Sequence, residues 1–207
     1  MKVKTVYQKV CDIKNDHKYS SNWIRLHTKS LPNYLNTFNF KVHYNLLPVK
    51  SKFVQFDINN DSRCPFCRLN YETINHILGE CNRLNVIWDF LDELLCIMDI
   101  NYSFFEKRKH MFQYEVMNLN TTVNFKLLLY LITIVNFHLW KCNNEFVHHQ
   151  ENFEPEKYVK KLIRTIGARK RLQVHSLISE DKKIPRIDEM FNAIVTLQNV
   201  VYPIDNG

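Results

Sequence analysis

Glycine is nearly missing from this sequence, with three in 207 residues. Glycine-rich phosphate loops, dinucleotide fingerprints and β-barrels all use its backbone freedom, so each is disfavoured. Cysteine numbers six, too sparse for a disulfide scaffold. Long apolar runs are also lacking. The longest strongly apolar stretch without formal charge, Leu127 to Trp140, has 14 residues and includes Asn136 and His138. A membrane span needs roughly 20 apolar residues. Strand-like alternation is scarce, and Asn-Gly occurs only as Asn206-Gly207. Met1 is followed by Lys2, Val3 and Lys4, which does not read as a signal peptide. The expectation is a nuclear or cytoplasmic protein, not secreted and without a membrane partner. Its thiols would be free or bound to metal.

Acids are in deficit as well, 21 against 28 Lys and Arg. The surplus is local. Lys157, Lys160, Lys161, Arg164, Arg169, Lys170 and Arg171 lie in one segment with no acid among them, and they equal the whole excess. Positions 157, 160, 161 and 164 share a helix face, and Tyr158, Leu162, Ile163 and Ile166 supply an apolar side. Gly167 is expected to weaken this helix near its end. A basic amphipathic helix suits a nucleic-acid phosphate backbone, an anionic membrane surface or an acidic protein. It also fits a merely solvated face.

What remains is ordinary globular composition, 45% hydrophobic and 24% charged, which argues against disorder. Helical periodicity dominates. Segments between residues 20 and 56 are broken by Pro32 and Pro48. Residues 57–63 read as a loop. Leu84, Ile87, Trp88, Leu91, Leu94, Leu95 and Met98 recur at helical spacing, so Asn82 to Met98 is expected to be a helix. Phe125 to Val147 is apolar on nearly all sides and should be central. Pro155 is placed to open the basic helix. Met190 to Val201 has room for one more short helix. The fold expected is mostly α, a helical domain over residues 20–150 built around a small knuckle at 62–82. The basic helix at 151–178 and a tail at 179–207 would follow. Residues 101–123 are poorly patterned.

The chemically specific feature is the run from Cys64 to Cys81, CPFCRLNYETINHILGEC, or C-x2-C-x8-H-x4-C. A C-x2-C turn can place two thiolates on one ion, and zinc favours four tetrahedral Cys or His ligands. Cys64, Cys67, His76 and Cys81 are therefore the candidate Zn2+ ligands. All four positions would come from protein, the closed pattern of a structural site rather than a catalytic one. The alternative is four unrelated residues, since cysteine is often a small buried hydrophobe. Thr73 is placed to cap a short helix carrying His76. His76 and Cys81 are five apart, about 140° around an ideal α-helix. Gly79 between them would supply the turn that lets them converge. Cys11, Cys96 and Cys142 have no partner at ligand spacing, and Cys96 and Cys142 are expected in the core. His148 and His149 are adjacent and point to different sides.

These residues resemble the zinc-binding region that follows the polymerase domain in reverse transcriptases of non-LTR (LINE-type) retrotransposons. The resemblance rests on Trp23, Phe38 to Val42, the Asn45-Leu46-Leu47-Pro48 turn, Glu72 to Leu78 between the Cys64-x2-Cys67 pair and the final Cys81, and Trp88. It extends to Trp140-Lys141-Cys142-Asn143-Asn144, with Asn143 where the family usually has Arg. Lys41 stands near where the family often has Trp. The resemblance implies a detached or truncated C-terminal module that helps hold template RNA or target DNA beside a catalytic core. It carries over the four zinc ligands and no other residue.

No Asp-Asp pair is present for a two-metal polymerase, and no endonuclease constellation stands out. A thiol nucleophile would need a base and an orienting partner, and the cysteines near histidine are claimed by zinc. The expectation is a non-enzymatic module that binds RNA or DNA through the seven basic residues above, with Lys52, Arg63 and Arg68 as weaker candidates. Its alternatives are a protein-interaction domain, with a reverse transcriptase supplied in trans as partner, and a transposon relic.

Overall fold

The computed structural model describes residues 29–53, 61–100, 122–149, 154–175, 179–180 and 183–201. Cys11, Trp23 and most of the poorly patterned 101–123 segment lie outside them. The described residues are mostly helical and contain no strand, only an isolated antiparallel bridge between Arg63 and Tyr71.

Helix α1 spans Asn33–His43 and starts directly after Pro32. It ends in a Schellman motif: Leu46 N–H donates to Lys41 O and Asn45 N–H to Val42 O at 3.0 Å. Asn45 takes the left-handed position at φ 52°. Helix α2 is Asn85–Ile97, shorter than the periodicity predicts because Asn82–Leu84 form a tighter 3-10 turn. It closes in the same way, with Asp99 at φ 53° and Ile100 N–H on Leu95 O at 2.9 Å. Neither of these left-handed positions is a glycine. Asn and Asp tolerate that conformation, so a glycine-poor chain can still terminate its helices.

Helix α3, Thr122–His149, is the central element. Every residue from Leu127 to Val135 is buried. It touches α1 and the basic helix α4, Pro155–Val174. Helix α5, Ile187–Val201, packs on α4 and on α2 and closes the bundle. One buried polar pair joins α1 to α3. Asn39 Nδ2 donates to Thr133 Oγ1 at 2.9 Å, and the Thr133 hydroxyl faces Asn39 Oδ1 at 3.2 Å. Such a pair is tolerated in the interior because its members satisfy each other.

Helix α4 packs against both α3 and α5. Tyr158 OH donates to Val135 O at 3.1 Å. Thr165 donates to Lys161 O at 3.0 Å, so its oxygen accepts from His138 Nε2–H, also at 3.0 Å. Burial, helped by the Lys141 and Lys161 charges, pushes the His138 imidazole down to about 4. Gly167 does not weaken the helix end, since α4 continues to Val174. A Cβ there would lie 3.0 Å from the Phe191 ring, so its smallness lets α5 approach α4. Cys96 is exposed, contrary to expectation, because it points away from the α2 face of Ile87, Trp88, Leu91, Leu94 and Leu95. Cys142 is half-buried and packs against the core.

Two outcomes follow for this frame. Gly167→Val should lower the unfolding free energy by about 1–3 kcal/mol in urea titration. Adding Phe191→Leu should recover part of that loss, and no recovery would exclude the steric explanation. His138 is neutral in the fold and protonates near 6.5 once unfolded. Its contribution is therefore present above pH 6.5 and lost as pH falls toward 4. The parent should lose up to about 3 kcal/mol more than His138→Gln over that window. Parallel stability–pH curves for the two would contradict it.

Candidate metal centre

The knuckle is built by two local turns. The first is Cys64-Pro65-Phe66-Cys67, in which Arg68 N–H returns to Cys64 O at 2.8 Å. Backbone N–H groups of Phe66 and Cys67 also face the Cys64 sulfur and favour its thiolate. Arg68 then adopts φ 56°, a left-handed conformation unfavourable for a side chain of its size. Cys64 N–H donates to Asn70 O at 2.7 Å, and Glu72 N–H to Ser62 O at 2.8 Å, which folds the segment back on itself.

The second turn carries the other two ligands. Thr73 Oγ1 accepts from His76 N–H at 3.1 Å, the cap its sequence position predicts. His76–Glu80 then widens into a π turn, with Cys81 N–H donating to His76 O at 2.9 Å. This i→i+5 closure solves the 140° problem. A π turn rotates the chain less per residue than an α turn, so residue i+5 returns toward the side of residue i. Gly79 is not the device: no glycine among the described residues has positive φ. Ile77, Leu78 and Gly79 are buried, and the turn packs directly on α3.

The outcome is convergence. One ligand atom from each of Cys64, Cys67, His76 and Cys81 lies within 4.8 Å of the others. Cys64 Sγ and Cys81 Sγ are 4.0 Å apart, and Cys67 Sγ and His76 Nε2 are 3.3 Å apart. A tetrahedron with metal–sulfur bonds near 2.3 Å has edges of about 3.8 Å, so these spacings fit one ion. The contact with Cys81 and burial hold the Cys64 thiol well above its usual range, while the same contact lowers Cys81. Without a cation the two sulfurs favour sharing a proton; a bound cation would take both as thiolates. Burial lowers His76, which favours the neutral imidazole that a metal requires. Cys64, His76 and Cys81 are buried and Cys67 is half-buried.

Glu72 ties this unit to the bundle. Its carboxylate accepts from Lys50 N–H at 3.0 Å and from Asn143 Nδ2 on α3 at 3.4 Å. Burial raises its pKa. Asn143 offers it a neutral partner rather than a guanidinium, which suits a carboxyl inclined to hold its proton.

The seven basic candidates divide in two. Lys161 pairs with Glu145 at 2.8 Å, Arg169 donates to Ser30 O at 2.7 Å, and Lys170 reaches Asp188 at 3.4 Å and lies 4.8 Å above the Phe191 ring. Lys157, Lys160, Arg164 and Arg171 are exposed. Lys52 donates to Leu47 O at 2.8 Å and to Asn45 O, bracing the turn after α1. Arg63 pairs with Asp61 at 2.9 Å. Sequence reasoning missed Arg83, which directly follows the cluster; nothing in the spacing of Cys81 and Arg83 distinguishes it.

A helical frame around a compact Cys3His cluster defines a helical module with a site able to hold a metal ion. A family model described as zinc-binding in reverse transcriptase matches residues 1–88, which includes all four cluster residues. This stretch, less than half of the chain, is thus similar to a zinc-binding region of reverse transcriptases. No curated protein and no solved structure matches the chain.

Metal analysis of the purified protein should give one equivalent of divalent metal, and a Cys64→Ser, Cys67→Ser variant none. Chelation should remove on the order of 10 kcal/mol of folding free energy and reduce helical circular dichroism. Full helix content in the metal-stripped chain would show that the cluster does not support the fold.

Proposed function

We propose that this chain is a zinc-stabilised nucleic-acid-binding module, derived from the C-terminal region of a retrotransposon reverse transcriptase and without polymerase or endonuclease chemistry of its own. Zn2+ is the ion that suits three thiolates and an imidazole in tetrahedral array. The proposed setting is the nucleus or cytoplasm, where such thiols stay reduced. Among the described residues no helix is long and apolar enough to cross a membrane.

The observation that carries the reading is the outer stripe of α4. Lys157, Lys160, Arg164 and Arg171 are exposed and fall within a narrow arc of one helix face, with His175 at its end. From Lys157 to Arg171 the stripe runs about 21 Å along the axis. The opposite side of α4 is fastened by Tyr158, Thr165 and Arg169. The stripe is thus fixed in orientation and can follow a phosphate backbone, where cations gain by releasing counterions. Contacts of this kind position a partner and carry no base preference.

A second reading has its own support. Leu69 and Tyr71 are 81% and 69% exposed beside the knuckle, an apolar tip that a protein partner such as a reverse transcriptase in trans would cover. Co-purification that survives nuclease and high salt would favour it.

The test is a salt titration of binding to RNA and DNA. Four phosphate contacts give a slope of log K against log salt of about −3. Lys160→Glu, Arg164→Glu and Arg171→Glu together should lower affinity at least tenfold at roughly 0.1 M salt while leaving metal content unchanged. A flat salt dependence would refute phosphate neutralisation.

A further inference from the structure

Two contiguous cavities open beside the knuckle, on a surface that the α4 stripe does not include. One, of about 630 Å³, is lined by Phe66, Arg68, Arg83 and Phe146, and also by the candidate ligand Cys67 and by Pro155 at the start of α4. The other, of about 360 Å³, shares Pro65, Arg68 and Phe146 and adds Lys50, Asp61, Arg63 and the candidate ligand Cys64. Their combined lining has four cations and one acid, and that acid is already paired with Arg63. Arg68 and Arg83 are exposed, and neither has an ion pair among the described residues. The apolar lining includes two phenylalanine rings. Phe66 is buried, while Phe146 is only half-buried and meets it edge-on at 6.5 Å.

The two guanidiniums are placed by the cluster itself. Arg68 follows Cys67 directly, in a left-handed conformation that its residue type does not favour. Arg83 follows Cys81 by two residues, and its N–H faces the Cys81 sulfur.

We propose that this cleft binds one or two nucleotides of single-stranded nucleic acid, with Arg68 and Arg83 on the phosphates and an unstacked base against Phe146. The proposal rests on the nucleic-acid reading above and assigns it a second, strand-selective site. Single strands fit because a base in a duplex cannot offer its face to a side chain, whereas every free base can stack on an aromatic ring. The cationic excess selects a polyanion over an acidic side chain, since two uncommitted guanidiniums sit side by side in sequence with the ligands that fix them.

The experiment uses the full zinc-loaded chain and fluorescent oligonucleotides of one sequence, single-stranded and duplex. Arg68→Gln with Arg83→Gln should weaken single-strand binding tenfold or more and make its salt slope shallower by about 1.4. Duplex affinity, which depends on the α4 stripe, should change less than twofold. Phe146→Ala should weaken single-strand binding by about tenfold without altering the slope, because stacking displaces no counterion. Metal content and circular dichroism establish that each variant is folded, and the arginine pair decides the matter if Phe146→Ala is not. If the parent binds and the arginine variant binds single strands equally well, the cleft is overturned and the α4 reading survives. Equal losses on single strand and duplex also overturn it. If the parent binds neither form, both readings fall.

Discussion

Two ligands five residues apart cannot meet on an ideal α-helix, and the rest of the structure is arranged around the way this chain makes them meet. The π turn from His76 to Glu80 brings imidazole and thiolate to one side and leaves Ile77 and Leu78 fully buried on the other. Those two side chains face α3, the most buried element of the bundle. Metal geometry and core packing are therefore one constraint. A shift in either would pull the other out of register, because closely packed interiors yield little.

The same coupling reaches the surface. Arg68 and Arg83 hang on residues adjacent to ligands, so an ion in the cluster would hold them still without touching them. Glu72 extends the connection to α3 through Asn143, and Asn39 with Thr133 bonds α1 to the same helix. Asn39 and Thr133 satisfy each other, whereas Glu72 Oε2 and Asn143 Oδ1 are buried without a hydrogen-bond partner among the described residues; a buried polar group costs little while its partner is present and much when it is removed. Such contacts add less to stability than apolar burial does, but they allow one arrangement of the helices and disfavour slipped ones.

Helix α4 shows how one sequence segment serves two purposes. Its inner side fastens to α3 through Tyr158 and Thr165, and to Ser30, three residues before α1, through Arg169. Its outer side carries four exposed basic residues. The small Gly167 allows α5 to lie against it, and Lys170 covers the Phe191 ring. Lys161, Arg169 and Lys170 thus work within the protein, and Lys160, Arg164 and Arg171 are exposed on the outer side.

Read alone, the sequence determined the chemistry of the cluster and the course of the main helices. Ligand type and spacing are local, and so are the apolar period of α2, the cap at Thr73 and the proline that opens α4. Other features depended on which faces meet, and no local pattern encodes that. Cys96 sits in an apolar helix yet points outward. Gly79 sits in the turn yet is not what makes it, and Gly167 matters because Phe191 arrives from α5. Lys161, Arg169 and Lys170 read the same as Lys160 and Arg164 until Glu145, Ser30 and Asp188 are placed beside them. A charge declares its sign in the sequence, but whether it meets water or a partner is settled only by distances across the fold.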